Sequence, residues 1–151
     1  EWQIRNIHQL ILKNIDDDNA GRYRQQNVLI SGATTTPPDY TLLNDKMTQL
    51  VNWYNSEAYK LHPIERAAKV HADFVGIHPF IDGNGRTSRL LMNLELLKAG
   101  YPPCVITVEN RLAYYEALDQ WMAYGKTEPF IQLVAEAVLE GFKPYQVVLG
   151  I

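Results

Sequence analysis

Residues 78–89 read HPFIDGNGRTSR, and they predict how the chain folds on both sides of them. Pro79 disfavours helical geometry in the residue before it, so a helix that precedes the stretch should end near His78. The Gly-Asn-Gly run at residues 83–85 tolerates positive φ angles and predicts a tight turn. A second helix should begin directly after the turn. The stretch therefore predicts two helices whose ends meet at a short polar loop.

Apolar residues recur at helical spacing through most of the chain on both sides of this stretch. The fourth predicted helix is apolar almost all round, which predicts that it is central and buried. The spacing, with glycine and proline stops, predicts six helices in all. The first predicted helix has Ile4, Ile7 and Ile11 on one face and ends near Asn14, and the second has an apolar stripe from Leu43 to Tyr54. The third runs from Pro63 to about His78, and the fourth from the turn to Gly100. The fifth runs from about Glu109 to Tyr124 with Thr107 as its cap, and the sixth from about Pro129 to Leu139.

Residues 23–31 depart from the helical pattern. The run NVLISG at residues 27–32 combines apolar and β-branched residues with a closing turn signal, which predicts a short strand or hairpin. The predicted fold class is therefore mainly α, a single helical domain with one small β-hairpin.

The composition narrows the class of partner. The chain has 151 residues, of which 46% are hydrophobic and 21% charged, as in a globular domain that buries its own core. The formal net charge of −3 provides no basic excess, which argues against nucleic-acid and membrane-surface binding. No stretch approaches the ~18 apolar residues of a membrane span.

Cys104 is the only cysteine, so the fold cannot depend on an internal disulfide, and we expect a cytoplasmic location. Its apolar surroundings beside Pro102 and Pro103 predict a buried thiol and not a nucleophile. The chain begins with Glu1 and not with Met. We therefore expect residues 1–151 to be one domain of a longer protein whose upstream part is missing.

The turn and the helix after it have the residues of a phosphate site. A turn of this kind can direct several backbone N–H groups at one point, and a helix N-terminus also favours an anion. Arg86 and Arg89 lie in the first turn of that helix, where cations oppose the helix dipole at a cost of ~0.3–1 kcal/mol each. They share a face, which Asn93 continues. A bound di- or triphosphate between the two arginines would explain this arrangement, because a guanidinium pairs with two oxygens at once.

Asp82 and His78 complete the set. A bare carboxylate in a phosphate site would repel the ligand, and a Mg²⁺ ion shared by Asp82 and the phosphates removes that conflict. His78 ends the preceding helix next to the turn, and an unperturbed pKa of ~6.5 suits a general base. The stretch therefore predicts a base, a metal ligand, an anion-binding turn and two phosphate-binding arginines.

This stretch resembles the signature of the Fic family, His-Pro-Phe-x-Asp/Glu-Gly-Asn-Gly-Arg-x-x-Arg, without a departure. Gly85 fits the adenylyl-transferring branch, since phosphate-transferring relatives have Lys at that position. The similarity covers essentially the whole chain. It includes residues 21–24 and 27–30, which look like the flap hairpin of the family, residues 62–65 at the start of the helix before the signature, residues 90–103, and Tyr114 with Tyr115.

The resemblance implies a protein adenylyltransferase that moves AMP from ATP to a Ser, Thr or Tyr hydroxyl of a target protein, with release of pyrophosphate. His78 would deprotonate the hydroxyl, and Asp82 would hold Mg²⁺ or Mn²⁺. The flap would bind the target chain by strand addition, and a homodimer is compatible with the resemblance. The remaining implied site residues are Gly83, Asn84 and Gly85 around the α- and β-phosphates, Arg86 at the inner phosphates, Arg89 at the γ-phosphate, Asn93, Tyr114 and Tyr115 elsewhere around the nucleotide, and Val28, Leu29 and Ile30 in the flap.

The chain differs from many members of this family in two respects. Some members have Asn seven residues after the second Tyr, near the adenine, where this chain has Met122. Many members also have an inhibitory helix with the motif Ser/Thr-x-x-x-Glu-Gly/Asn, which neither Glu109-Asn110 nor Glu140-Gly141 fits. We expect that helix upstream of Glu1 or in a partner chain.

Two alternatives stay open. A relative of this kind can remove AMP from a target by using the inhibitory Glu to orient water, and the missing motif favours transfer over removal. A nucleotide-sensing or protein-binding module would retain the site without turnover. His78 argues against the module, because binding alone does not need a base.

Overall fold

The computed structural model describes residues 1–150 and confirms a mainly α fold. The helices are α1 (Trp2–Leu12), α2 (Leu43–Ser56), α3 (Pro63–Ile77), α4 (Asn84–Lys98), α5 (Arg111–Tyr124) and α6 (Glu128–Leu149), with single 3-10 turns at Tyr40–Leu42 and Ala58–Lys60. None of these helices is long and apolar enough to cross a membrane.

Helices α3 and α4 form the central pair and place the polar loop between them. The N-terminus of α3 has His62 as its cap and a reciprocal capping box with Glu65, and Pro63 occupies the first turn. The helix ends at His78, which has a left-handed conformation with φ of 51°. Gly83, with φ of 80°, caps the start of α4. Loop 78–83 is therefore short and fixed at both ends.

The core has two parts. A larger cluster joins α3 and α4 to α5 and α6, with Trp121 and Phe130 among its members. A smaller cluster contains Met47, Phe74 and Phe80, and Phe80 is fully buried although it belongs to the loop. Burial of a side chain of that size contributes about 1.5–3 kcal/mol, so the apolar core holds the polar loop in place.

A buried ion pair also joins α3 to α4. The Nε atom of Arg66 donates to Glu95 Oε2 at 3.0 Å, and the two side chains are only 8% and 5% exposed. The other oxygen of Glu95 accepts from the Tyr54 hydroxyl at 2.7 Å and from Lys98 Nζ at 2.9 Å. Burial alone would raise the pKa of Glu95, but the hydrogen bonds from Lys98, Tyr54 and Arg66 outweigh it and lower the pKa. The carboxylate is therefore ionised and fully bonded.

The predicted strand at residues 23–31 is wrong, since no strand occurs in residues 1–150. The polar groups of this segment bond to loops and not to a second strand. The Arg24 amide donates to the Pro79 carbonyl at 2.9 Å, and the Asn27 side chain donates to Asp39 at 2.8 Å. An isolated two-stranded hairpin is marginal in water, so these contacts prevail. We call residues 22–38 the flap.

Three helix predictions need correction. Helix α4 is not buried all round, because Leu90, Leu94 and Leu97 are 46%, 41% and 54% exposed on one side. Helix α5 begins at Arg111 after Asn110, so Thr107 is not its cap. Helix α6 runs ten residues past Leu139, through Pro144, to Leu149. Gly141 permits this extension, because a Cβ atom there would lie 3.2 Å from Pro102.

Cys104 is buried as predicted, with 3% exposure. Burial raises the pKa of its thiol to about 12, so the thiolate required of a nucleophile is not formed at neutral pH.

Candidate active site

His78 is the first residue of the polar loop, directly after α3, and it is half-buried. Its Nδ1 atom faces the Val75 carbonyl at 3.3 Å, so Nδ1 has the proton and Nε2 has a lone pair. Nε2 has no protein partner among the described residues. Burial lowers the pKa of His78, and the nearby charge of Arg24 adds to this effect against the opposing effects of the Val75 carbonyl and Asp82. The ring is therefore neutral at pH 7 and able to accept a proton.

Arg24 fixes the backbone of this histidine. Its guanidinium donates to the carbonyls of His78 at 2.9 Å, Gln26 at 2.8 Å and Pro38 at 2.6 Å. The residue is 3% exposed, and no carboxylate pairs with it among the described residues. All its side-chain hydrogen bonds are to backbone oxygens, so Arg24 joins both ends of the flap to loop 78–83. This role could not be predicted from the sequence, because nothing in residues 21–24 distinguishes Arg24 from the exposed Arg22.

We predict that Arg24→Lys lowers the free energy of unfolding by about 1–3 kcal/mol, because lysine cannot reach three carbonyls and leaves buried acceptors unpaired. Thermal unfolding measures the loss, and limited proteolysis should cut the flap faster. Arg22→Lys is the matched control and should change neither. Equal behaviour of the two variants would show that the Arg24 contacts do not hold the flap.

His8, in α1, packs against loop 78–83 and bonds to it. Its ring is fully buried and stacks on Phe80 with ring centroids 3.5 Å apart. The Gly21 amide donates to His8 Nδ1 at 2.9 Å, which leaves the proton on Nε2 to donate to the Asp82 carbonyl at 2.8 Å. A Cβ atom at Gly83 would lie 3.0 Å from this Nε2, so glycine is required there by space as well as by φ. In the sequence His8 was simply a residue of a helical pattern.

Asn84 closes the loop on itself. Its side-chain amide donates to the Phe80 carbonyl at 2.8 Å and accepts from the Phe80 amide at 3.0 Å. The Asn84 side chain is therefore committed to the loop, and an anion at this turn would meet backbone N–H groups. The first N–H groups of α4 have no intrahelical acceptor, as at any helix start.

Asp82 and Arg86 form an exposed pair at the start of α4. Arg86 Nη2 donates to Asp82 Oδ2 at 2.9 Å, and the Gly83 amide donates to Asp82 Oδ1 at 2.6 Å. The Asp82 side chain is 66% exposed. No group of three His, Cys, Asp or Glu residues in the described chain could hold a metal by itself. A single accessible carboxylate does fit Mg²⁺, which binds through one or two carboxylates together with phosphate oxygens and water.

The other predicted nucleotide residues lie along α4 and α5 with different environments. The Asn93 side chain donates to the Cys104 carbonyl at 3.2 Å and accepts from the Cys104 amide at 2.7 Å, so its amide group is occupied by the loop after α4. The Tyr114 hydroxyl lies 2.9 Å from His71 Nε2 and the residue is 4% exposed, whereas Tyr115 is 52% exposed. Arg89 is exposed and makes no ion pair with a described residue.

The flap reaches across to α5. Thr34 donates to both oxygens of Asp119 at 2.8 Å, through its amide and its hydroxyl. Between this contact and Arg24 lie Val28 and Ile30, which are half-buried, and Leu29, which is 81% exposed. The middle of the flap is irregular, with a turn at Ser31 and Gly32 in which the Ala33 amide donates to the Ile30 carbonyl at 3.2 Å, and it is held at both ends.

Comparisons with known proteins specify the family to which this helical fold belongs. The Fic/DOC family model matches residues 1–96, and the chain belongs to this family. The protein adenylyltransferase Fic of Drosophila grimshawi is 42% identical over 135 residues, which cover 88% of this chain and 27% of the relative. The protein adenylyltransferase fic-1 of Caenorhabditis elegans is 40% identical over 134 residues, which cover 88% of this chain and 26% of the relative.

A solved structure of Fic-1 from Caenorhabditis elegans has the same fold, with a TM-score of 0.87 and 36% identity. The match covers 99% of this chain and 43% of that chain. The chain spans about a quarter of the length of the curated relatives that it matches.

Proposed function

We propose that residues 1–151 form a single Fic-type catalytic domain that transfers AMP from ATP to a hydroxyl group of a target protein. The observation that carries the proposal is the state of His78. Its ring is neutral, Nδ1 is occupied by Val75, and Nε2 is open beside an anion-binding helix start. A base in this position suits proton transfer at a phosphate site.

In the proposed reaction, the target oxygen attacks the α-phosphorus of ATP in line with the leaving group. The hydroxyl proton passes to His78 Nε2, a new bond forms between oxygen and the α-phosphorus, and the bond from that phosphorus to the bridging oxygen breaks. Pyrophosphate leaves with the bond electrons. The protein contributes positioning and charge neutralisation, which are the main catalytic effects in transfers of this type.

The α4 start would hold the phosphates. The backbone of Gly83, Asn84 and Gly85 would bind the α- and β-phosphates, Arg86 the inner phosphates and Arg89 the γ-phosphate. Arg86 already pairs with Asp82, so it can exchange one anion for another. Asp82 would hold Mg²⁺ or Mn²⁺ together with phosphate oxygens and water, and the ion neutralises charge on the phosphates when bound.

The flap would bind the target. Its middle has no backbone ladder among the described residues, so the N–H and C=O groups of Val28 and Leu29 are available to a target peptide, whereas the Ile30 carbonyl already accepts from the Ala33 amide. Recognition through backbone groups makes the target chain, and not a particular side chain, the main determinant of binding. The adenine would lie toward α5, where Tyr115 is exposed and Met122 packs against Gly76.

The test uses ATP labelled at the α-phosphate, Mg²⁺, the purified chain and a cell lysate. Labelled protein bands and an AMP-sized mass increase on a target support transfer. ATP labelled at the γ-phosphate is the control, and addition of the chain should add no label to that of the lysate alone, because pyrophosphate departs. Label from the γ-phosphate alone would identify phosphoryl transfer and overturn the proposal.

We predict that Asp82→Asn lowers the transfer rate by about 100-fold or more, because the amide binds Mg²⁺ far more weakly than a carboxylate. Chelator should abolish transfer by the unchanged chain, and added Mg²⁺ or Mn²⁺ should restore it. Asp18→Asn, at another exposed aspartate, is the matched control and should retain full activity. Full activity in chelator would show that Asp82 has another role.

A further inference from the structure

An open groove of about 720 Å³ lies between α2, α3, α5 and the C-terminal part of the flap. This volume is within the range of about 300–1,000 Å³ that is usual for ligand sites. Its walls include Trp53 of α2, Lys69 and Asp73 of α3, and Trp121 of α5. No described residue of the polar loop or of α4 lines it. The groove is therefore separate from the proposed phosphate site.

Asp73 is the only carboxylate that lines the groove in the described chain, and both of its oxygens are bonded within the protein. Oδ2 accepts from Lys69 Nζ at 2.6 Å, and Oδ1 accepts from Trp121 Nε1 at 3.1 Å. The Lys69 ammonium also lies over the Trp53 ring, 4.9 Å from its centroid. These contacts hold the four side chains in one cluster, with the carboxylate already occupied.

The groove has hydrogen-bond donors to spare. An ammonium group has three N–H bonds, and Lys69 uses one of them for Asp73. The half-buried Trp53 has an indole N–H without a hydrogen-bond partner among the described residues. Lys46 is exposed at the rim and forms no ion pair with a described residue. Two lysines against one aspartate give the groove a net positive charge, so it is complementary to an anionic group.

The groove continues the surface along which the target would bind. Thr35, Thr36 and Pro38, at the C-terminal end of the flap, form one side of it. Ile77 also lines it, and the next residue along the chain is His78. A peptide that lies along the flap with its hydroxyl at His78 would therefore reach the groove within a few residues of that hydroxyl.

We propose that this groove binds an acidic segment of the target protein, in which a carboxylate pairs with Lys46 and Lys69 and a neighbouring apolar side chain packs on Trp53. Leu50 and Met122 extend the apolar surface beside the indole ring. This inference rests on the proposed function, because it names a feature of the target. The flap would bind backbone groups, and the groove adds a preference for particular side chains near the modified hydroxyl.

The first test measures binding without nucleotide. The chain has three tryptophans, so its indole N–H groups give three NMR signals. The probes are two capped hexapeptides without hydroxyl groups, with Leu-Glu or Leu-Gln at the centre. The Leu-Glu peptide should shift the signals of Trp53 and Trp121 with a Kd of about 1 mM or tighter, and the Leu-Gln peptide should bind at least about 3-fold more weakly. The signal of Trp2, which is 74% exposed, should not move.

Lys69→Gln and Lys46→Gln should each weaken binding of the Leu-Glu peptide about 3- to 10-fold and leave that of the Leu-Gln peptide unchanged. Lys13→Gln is the matched control, because Lys13 is exposed, lies outside the groove and carries the same charge. Thermal unfolding checks that each variant is folded, and the exposed Lys46 provides the test if the change at Lys69 disrupts the fold. No shift at millimolar peptide, or equal binding of the two peptides, would overturn the inference.

The second test connects the groove to the target. With ATP labelled at the α-phosphate and a cell lysate, excess Leu-Glu peptide should reduce labelling of target proteins more than the Leu-Gln peptide does. Unchanged labelling despite peptide binding would overturn the inference. Displacement of the peptide by ATP would assign the groove to the nucleotide, and indole shifts on dilution of the chain alone would assign it to a second copy, so either result contradicts the proposal. A chain that binds the Leu-Glu peptide but labels no protein would overturn the proposed function, and with it the target as occupant of the groove.

Discussion

Replacement of His78 by alanine should lower AMP transfer by about 100- to 10,000-fold, the contribution of a well-placed general base, while ATP still binds. The imidazole is the only neutral base in the loop, and its Nε2 atom has no other partner among the described residues. Transfer should be measured at saturating ATP, so that a change in affinity is not mistaken for a change in rate. Full activity of the alanine variant would contradict the proposed role.

The pH dependence gives a second check on the same residue. Because the pKa of His78 is lowered, the neutral form is already dominant at pH 7. The rate should therefore be flat from neutral pH upward and fall only as the pH drops through the lowered pKa. His78→Asn and His62→Asn form a matched pair, since asparagine can still cap α3 at position 62. Only the variant at position 78 should lose activity.

Glu95→Leu should cost about 3–5 kcal/mol of unfolding free energy, because it leaves the Arg66 guanidinium buried and unpaired. For a domain of this size the loss corresponds to a fall in Tm of roughly 6–20 °C. The double variant Arg66→Met with Glu95→Leu should recover most of that stability, since apolar groups of similar volume replace a buried pair well. A double variant as unstable as the single one would contradict this explanation.

Glu57→Leu is the control, because its pair with Lys60 is exposed and should contribute less than about 1 kcal/mol. Acid gives an independent test of the buried pair. The pKa of Glu95 is lowered in the folded protein, so its stabilisation is present above the ordinary carboxyl value of 4.5 and is lost as the pH falls through the lowered value. The Glu95→Leu variant should lose this part of the acid dependence.

The sequence predicted the helices and the loop because both depend on local patterns. Helix bounds follow apolar spacing, capping residues and prolines. The turn predicted at residues 83–85 is shorter than expected, since α4 already begins at Asn84 and only Gly83 of the three has a positive φ. The strand prediction failed because residues 27–32 have β-forming side chains but no second strand to pair with. The predicted end of α6 at Leu139 was wrong because the helix continues past Gly141 and Pro144, and Gly141 allows the close approach to Pro102.

The supporting residues of the site could not be predicted for a different reason. His8 bonds to a residue 74 positions away, Arg24 to one 54 positions away, and His71 to one 43 positions away. Each is surrounded in the sequence by ordinary helix or loop residues. Only packing of the helices brings these groups together, and no local spacing indicates it. The contact of the Tyr114 hydroxyl with His71 could not be predicted for the same reason.

The contacts of Arg24 have a consequence for which hydroxyl the domain can modify. One guanidinium binds carbonyls at both ends of the flap and that of His78, so these hydrogen bonds set the distance between the flap backbone and the backbone of His78. A target peptide bound along the flap would therefore place its side chains at a set distance from His78, the proposed base. Serine and threonine hydroxyls stand one carbon from the backbone, while that of tyrosine stands beyond a whole ring. A set distance between the flap and His78 suits either the short or the long side chains. The contacts of Arg24 would thus select the acceptor by the length of its side chain.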